Sequence, residues 1–129
     1  MAEIIPKTVF ISYSWTNQKH VDWVVELAQR LMSDGVSVKL DKWDLKEGHD
    51  RFAFMETMVR ADEVDRVLIV LDKKYAEKAD DRVGGVGAET QIITPKIYGD
   101  VKQEKFIPIV TEMDEMGKAY LPAYLGGAF

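Results

Sequence analysis

The chain has 129 residues, of which 47 % are hydrophobic and 30 % charged. This balance is typical of one globular domain with its own core. The net charge of −5, without any cluster of Lys and Arg, argues against nucleic acid as the main partner. The absence of cysteine excludes disulfides and cysteine nucleophiles. No apolar run approaches the roughly 18 residues of a membrane span, and MAEIIPK does not resemble a signal peptide, so we expect a cytoplasmic protein.

The first half of the chain predicts two strands and two helices. A β-branched apolar run predicts a buried strand over 8–13, and a second strand is expected over 36–40. Between them, Asn17 is a helix cap and Gly35 a helix stop. The apolar residues of that helix recur at helical spacing: Val21, Val24, Leu27, Ala28, Leu31 and Met32. A polar loop over 41–50 follows, and Asp50 is expected to cap a second helix.

The second half continues the alternation of strands and helices. The run RVLIVL over 66–71 is the most apolar segment and predicts a central strand. We expect a loop over 72–86, then a third helix over 88–98. The run FIPIV over 106–110 predicts a fourth strand, and its proline favours an edge position. The tail, 111–129, has no clear helix, and we expect the chain to be the N-terminal part of a longer protein.

The alternation predicts an α/β fold with a parallel sheet covered by helices on both faces. In such sheets, ligands bind beyond the carboxyl ends of the strands. The polar and aromatic residues at 12–15, 41–44 and 72–75 follow three of the predicted strands. We therefore expect these segments, and the GGVGAE stretch at 84–89, to converge on one rim of the sheet.

The glycines of GGVGAE raise the question of a phosphate loop. No Lys-Ser or Lys-Thr follows them, as a Walker loop requires, and they do not follow the first strand, as a dinucleotide fingerprint requires. A receiver domain would need acidic residues after the first strand to bind Mg²⁺, whereas this chain has Ser-Tyr-Ser-Trp at 12–15. His20 and His49 lack the spacing of metal ligands, and no nucleophile elbow surrounds Ser12 or Ser14. We therefore predict no metal site.

The remaining feature of the stretch is its carboxylate, Glu89. An acidic residue in the first turn of a helix stabilises that helix through its dipole, which is a sufficient structural reason for Glu89. The glycines also allow close backbone approach and positive φ, so the same carboxylate can face a pocket. Both interpretations remain open on the residues alone.

Several sequence blocks together resemble the TIR domain family. The blocks are VFISYSW, VSVKLDKWDLKEGHD, RVLIVL, GGVGAE and FIPIV, and their order and spacing are similar to those of the bacterial TIR and SEFIR-like branch. The resemblance covers about 8–110 and implies a single TIR domain over 1–129 with a flavodoxin-like, doubly wound parallel sheet. It identifies 41–50 as the BB loop, which mediates head-to-tail contacts between TIR protomers, with Asp44, Leu45 and Gly48 as interaction residues.

The resemblance also implies an activity. Many TIR domains cleave NAD⁺ into nicotinamide and ADP-ribose or a cyclic ADP-ribose, with NAD⁺ as substrate and no cofactor. The essential glutamate of the family lies on the third helix, which is the position of Glu89. A fixed carboxylate can stabilise the oxocarbenium-like ribose of such a reaction. A neutral nicotinamide leaves, so no general acid is required.

Further pocket residues follow from the resemblance. Those expected to contact substrate are Ser12, Tyr13, Ser14, Trp15, Asp41, Trp43 and Arg82. Some family members have an arginine near the position of Trp15, where it bears on phosphate contacts. This chain has no arginine next to Trp15 in the sequence, and Arg82 is the candidate substitute. Trp43 either packs on its own loop or stacks on a ring of the ligand, and Asp41 either stabilises the loop or binds ribose.

The resemblance leaves more than one function open. The first is an NAD⁺ hydrolase active when assembled, the effector part of an anti-phage defence protein whose activating module is a cyclic-nucleotide sensor. The second is a TIR–TIR interaction scaffold without catalysis, because many family members are adaptors. The third is a secreted mimic of host adaptors, which no feature of the sequence addresses.

Overall fold

A computed structural model of the protein describes residues 7–45, 50–81 and 92–125. Four strands form one parallel sheet: β1 (Thr8–Ser12), β2 (Ser37–Lys39), β3 (Arg66–Leu71) and β4 (Phe106–Val110). The strand order is β2-β1-β3-β4. This order and the parallel pairing confirm the predicted flavodoxin-like fold, with β3 central and β4 at an edge.

Helices separate the strands along the chain. They are α1 (Gln18–Ser33), α2 (Asp41–Asp44), α3 (Arg51–Arg60), α4 (Lys73–Asp81) and α5 (Pro95–Asp100). Short 3₁₀ turns lie at Gln103–Lys105 and Ala123–Leu125. In the described ranges no helix has the length and apolar character that a membrane span requires.

The two faces of the sheet bury two separate apolar cores, because successive strand residues point to opposite faces. Val9 and Ile11 of β1 pack with Val21 and Val24 of α1 on one face. Phe10 packs on the other face against side chains of α3, α4 and α5, among them Met55, Val59, Tyr75, Ala79 and Ile97. Both faces are therefore covered, which explains why β1 and β3 are apolar nearly throughout.

The predicted ends of α1 are confirmed. The Asn17 side chain accepts a hydrogen bond from the His20 N–H at 2.9 Å. At the other end Gly35 has a φ of +94°, and the Val36 N–H donates to the Leu31 carbonyl at 3.0 Å. This is the hydrogen bond of a Schellman stop, which places a glycine in the left-handed region. The predicted cap of α3 is also confirmed, since Asp50 accepts from Phe52 N–H at 2.7 Å.

The edge position of Pro108 has a structural reason. The Thr111 N–H donates to the Leu71 carbonyl of β3 at 2.9 Å. Because backbone groups alternate sides along a strand, Pro108, three residues earlier, directs its nitrogen away from β3. The residue without an N–H therefore faces the side of β4 that no strand of the described residues covers, where it removes a donor that a further strand could use.

Three expectations about local structure are wrong. The loop expected over 72–86 contains helix α4 from Lys73. This segment is helical because its apolar residues Tyr75, Ala76 and Ala79 recur at helical spacing and are buried in the core. The polar loop over 41–50 begins with the short helix α2. The helix expected over 88–98 is not helical at 92–94, because the Thr94 side chain caps α5 by accepting from the Ile97 N–H at 3.3 Å.

Candidate functional site

Asp41 joins the carboxyl ends of β1 and β2. It is the first residue of α2 and is only 3 % exposed. Its Oδ1 accepts the Tyr13 hydroxyl at 2.7 Å, and its Oδ2 accepts the Trp15 indole N–H at 3.0 Å. Burial, and then the negative charge of Asp41, raise the pKa of the Tyr13 phenol far above its usual range. Tyr13 is thus held as a neutral donor to a buried carboxylate.

Two cations lie against the Trp15 indole. The Arg51 guanidinium carbon is 4.1 Å from the ring centroid, and Lys42 Nζ is 5.1 Å from it. Arg51 Nε is 3.6 Å from Asp41 Oδ2. The first residue of α3 is thereby placed over a ring at the end of β1, where cation–π attraction and the nearby carboxylate both favour it. We call Trp15, Lys42 and Arg51 the cation–indole cluster.

A second network lies at the centre of the sheet. The Tyr75 hydroxyl of α4 is 2.7 Å from Ser12 Oγ at the end of β1 and accepts the Ile93 N–H at 3.1 Å. The Tyr75 N–H donates to Asp72 Oδ1 at 2.8 Å. Tyr75 therefore connects β1, the start of α4 and the segment that leads into α5.

The gap between β1 and β3 is the topological switch point, because the chain proceeds from these strands to opposite sides of the sheet. Thr16 follows β1 in the chain, and Asp72 follows β3. The Thr16 hydroxyl donates a hydrogen bond to Asp72 Oδ2. His20 Nε2 lies 3.8 Å from the same oxygen and has no hydrogen-bond partner within the described chain. Thr16 and Asp72 thus bridge the position at which folds of this kind bind ligands.

An open cleft of about 850 Å³ lies beside this bridge, between α1 and the ends of β3 and β4. Its lining includes His20, Asp72 and Glu112, with Trp23 and Glu26 on α1. Trp23 is 43 % exposed. Among the residues predicted to contact substrate that the structure describes, none lines this cleft.

The structure places the predicted substrate residues in three environments. Ser12, Tyr13 and Asp41 are buried in the hydrogen-bond networks described above. Ser14 is also buried, and its hydroxyl has no partner in the described part of the chain. Trp15 and Trp43 are 44 % and 42 % exposed. The exposed rings are therefore the predicted residues that a ligand can reach directly in the described structure.

The predicted interaction residues are only partly described. Asp44 lies at the end of α2, and its Oδ2 accepts the Leu40 N–H at 2.8 Å. Leu45 is half-buried and donates its N–H to the Asp41 carbonyl at 3.0 Å. Gly48, Arg82 and the proposed catalytic Glu89 lie outside the described residues. Their roles stay predictions.

The sequence did not predict a role for Arg51, and it placed Tyr75 at the carboxyl edge of the sheet without assigning it a role. Arg51 follows a helix cap in the sequence, and nothing local links it to Trp15, 36 positions earlier. Tyr75 lies in a segment expected to be a loop. The helical spacing of Tyr75, Ala76 and Ala79 was the signal in the sequence that could have predicted a helix in place of this loop.

The described residues contain no group of three or more His, Asp or Glu side chains that could hold a metal ion. The carboxylates of the site instead accept hydrogen bonds from protein donors. Asp41 and Asp72 each use both of their oxygens in this way.

A parallel β2-β1-β3-β4 sheet with polar and aromatic residues at its carboxyl edge defines a TIR-like α/β domain. The model of the SEFIR domain family matches residues 7–129, and the chain belongs to this family. Its structure is similar to "Crystal Structure of a prokaryotic SEFIR domain", with 50 % sequence identity, a TM-score of 0.85, and coverage of 95 % of this chain and 79 % of that one. A comparison with curated proteins finds no match.

Proposed function

We propose that this SEFIR domain cleaves the bond between nicotinamide and ribose in NAD⁺, with Glu89 as the catalytic carboxylate. Two facts support the proposal. The chain belongs to a TIR-like family, and the TIR-like superfamily includes NAD⁺-cleaving members. The sequence carries a single carboxylate, Glu89, directly after the glycines of GGVGAE, where the resemblance to TIR domains implies the essential glutamate.

The observation that carries the proposal is the hydrogen bond between Ile93 N–H and the Tyr75 hydroxyl. Because the same hydroxyl is bonded to Ser12, Ile93 is fixed to the carboxyl end of β1. Glu89 precedes Ile93 by four residues, and four residues of extended chain span at most about 14 Å. The segment that follows Glu89 in the sequence is therefore attached to the carboxyl edge of the sheet, and this attachment supports the proposal.

The chemistry requires one carboxylate and no metal. The bond from ribose C1′ to the pyridinium nitrogen breaks, and its electron pair neutralises the ring, so nicotinamide leaves without a proton. Positive charge then develops on the ribose ring, and a fixed carboxylate stabilises it. Water adds to C1′ and loses a proton to give ADP-ribose, or an adenine nitrogen adds to give a cyclic product. Both outcomes are compatible with Glu89.

The setting of the activity belongs to the same proposal. Head-to-tail assembly of protomers through the BB loop, 41–50, activates the enzyme, and a cyclic-nucleotide sensor in the same longer protein drives that assembly. The result is depletion of cytoplasmic NAD⁺ during anti-phage defence. The family resemblance supports this setting.

The test compares nicotinamide release by the wild type and Glu89→Gln, which keeps the shape of the side chain and removes its charge. A matched control is Glu77→Gln, since Glu77 is an exposed carboxylate on α4. Light scattering establishes that each sample is assembled. We expect Glu89→Gln to lose at least about 100-fold in rate, the usual cost of removing one transition-state electrostatic contact. Equal rates for wild type and Glu89→Gln would exclude Glu89 from the mechanism.

A second function, a scaffold that acts by assembly alone, is favoured by one observation. Trp23 on α1 and Trp43 on α2 are both more than two-fifths exposed, and tryptophan is enriched among residues that dominate protein–protein binding energy. For a scaffold, we expect assembled wild type and Glu89→Gln to be equally silent towards NAD⁺, while Trp43→Ala weakens assembly.

A further inference from the structure

We propose that the cation–indole cluster is an anion subsite that binds the diphosphate of a dinucleotide, with Arg51 as its main contact. The inference rests on the proposed function for the identity of the ligand. It assigns to Arg51 the phosphate contact that the sequence pointed to in Arg82. The cluster is formed by the end of β1, helix α2 and the start of α3, so it is visible only in the folded chain.

Arg51 is held in place, but its Nε donates no hydrogen bond to a carboxylate of the described residues. Its Nε is buried and has no hydrogen-bond partner in the described chain. Its contact with Asp41 at 3.6 Å is longer than a normal hydrogen bond. The guanidinium is held by the Trp15 ring, whose centroid is 4.1 Å from its carbon, and by the nearby Asp41 carboxylate. A planar fork with donors to spare, oriented by an aromatic ring, is the arrangement in which arginine binds phosphate bidentately.

The neighbouring carboxylates do not compete strongly for Arg51 and Lys42. Asp41 already accepts the hydroxyl of Tyr13 and the indole N–H of Trp15. Asp44 and Asp50 accept backbone N–H groups, of Leu40 and Phe52 respectively, at 2.8 Å and 2.7 Å. In the described residues these carboxylates therefore accept hydrogen bonds from other protein donors, and their contact with the two cations is the 3.6 Å approach of Arg51 Nε to Asp41.

The number of cations favours a diphosphate over a single carboxylate. Arg51 and Lys42 lie within 5.1 Å of one indole centroid, which matches the two negative charges of a dinucleotide's diphosphate. The indole of Trp15 is 44 % exposed, and Trp43 is the residue that follows Lys42. The exposed Trp15 indole gives a dinucleotide apolar surface beside its phosphates.

The direct test is a titration of the protein with inorganic pyrophosphate at constant ionic strength. Binding is followed by NMR through the indole N–H signal of Trp15, which Trp15→Phe identifies, and by calorimetry. We expect pyrophosphate to shift this signal and Arg51→Gln to weaken binding at least about tenfold, as expected for the loss of a charge-assisted contact. Lys42→Gln is expected to weaken it several-fold.

A matched control removes a cation at the opposite edge of the sheet. Arg66, the exposed first residue of β3, donates to the neighbouring Asp65 carbonyl, and we expect Arg66→Gln to bind pyrophosphate like the wild type. Arg51→Lys keeps the charge without the fork, and we expect an intermediate affinity. Unchanged binding by Arg51→Gln, or an equal loss in Arg66→Gln, would overturn the assignment. Circular dichroism verifies that each variant is folded.

The outcomes separate this inference from the proposed function. Pyrophosphate binding through Arg51 without nicotinamide release by assembled protein would refute NAD⁺ cleavage and leave the anion subsite standing. Nicotinamide release with an unchanged KM in Arg51→Gln would refute the subsite alone. If pyrophosphate fails to bind and Arg51→Gln instead changes the sedimentation of the chain, Arg51 contacts a protein carboxylate and the phosphate assignment is wrong.

Discussion

The hydrogen bond between Tyr13 and Asp41 permits a quantitative prediction. Replacing Asp41 with alanine removes the 2.7 Å hydrogen bond from the buried Tyr13 hydroxyl, and a hydrogen bond to a charged group contributes about 1.5–3 kcal/mol. The Trp15 N–H also loses its acceptor, but this ring is partly exposed and water can replace the carboxylate at a smaller cost. We therefore expect Asp41→Ala to lower the free energy of unfolding by about 2–4 kcal/mol.

A double-mutant cycle isolates the pair. Tyr13→Phe removes the donor and is expected to cost about 1–2 kcal/mol. Both single variants lose the same hydrogen bond, so the loss of the double variant is smaller than the sum of the two single losses. The expected coupling is about 1.5–3 kcal/mol, the range for a hydrogen bond to a charged group. Any other contact of the phenol cancels in the cycle.

The assay is urea unfolding followed by circular dichroism, analysed as a two-state transition. A control cycle pairs Tyr13→Phe with Asp100→Ala, since Asp100 is an exposed partner of Lys96 and Arg60. Losses in the control cycle are expected to add within about 0.5 kcal/mol. Coupling below about 0.5 kcal/mol in the Tyr13–Asp41 cycle would refute the view that Asp41 is a hub of the carboxyl edge.

Three further predictions follow from local structure. The pKa of Tyr13 is raised in the folded protein, so the folded protein retains the phenol proton while the unfolded chain releases it from about pH 10. The free energy of unfolding therefore falls as pH rises above that value. Alkaline titration of unfolding is expected to be shallower in Tyr13→Phe; an unchanged slope would contradict the assignment. Gly35→Ala is expected to lower the free energy of unfolding in urea by about 1 kcal/mol, because φ is +94° there and this left-handed conformation favours glycine. Gly99→Ala, in helix α5 with open space around the added carbon, is expected to gain about 0.5–1 kcal/mol; the same sign for both glycines would refute the backbone argument.

The sheet was predictable because its signals are local. Strands β1, β3 and β4 are short runs rich in apolar β-branched residues, and RVLIVL is apolar enough to require burial on both faces. The caps of α1 and α3 were predictable for the same reason, since Asn17 and Asp50 bond to backbone groups two or three residues away. Alternation of strands and helices then limits the topology to few choices.

The helix α4 was missed because its composition masks its periodicity. Lys73–Asp81 is mostly charged, and within 73–79, where burial is described, the residues that reach the core are Tyr75, Ala76 and Ala79. Two alanines give a weak apolar stripe, and the packing that stabilises the helix comes from tertiary structure. The same limitation applies to the boundary of α5, which is set by the Thr94 cap.

The site was predictable in place but not in its contacts. The rule that ligands bind beyond the carboxyl ends of strands located 12–15, 41–44 and 72–75 on one edge, and contacts across Asp41 and Asp72 confirm that these segments meet. The stack of Arg51 on Trp15 could not be predicted, because it depends on the path from α2 to α3. A sequence motif records neighbours along the chain, whereas an anion subsite is formed by neighbours in space.

The measurement that tests the central claim most directly is nicotinamide release from NAD⁺ by the assembled wild-type chain, followed over a series of protein concentrations. We predict release whose specific rate rises with concentration as protomers assemble, and which Glu89→Gln abolishes while Glu77→Gln preserves it. Assembled wild-type protein that releases no nicotinamide would contradict the account and leave the scaffold function in its place.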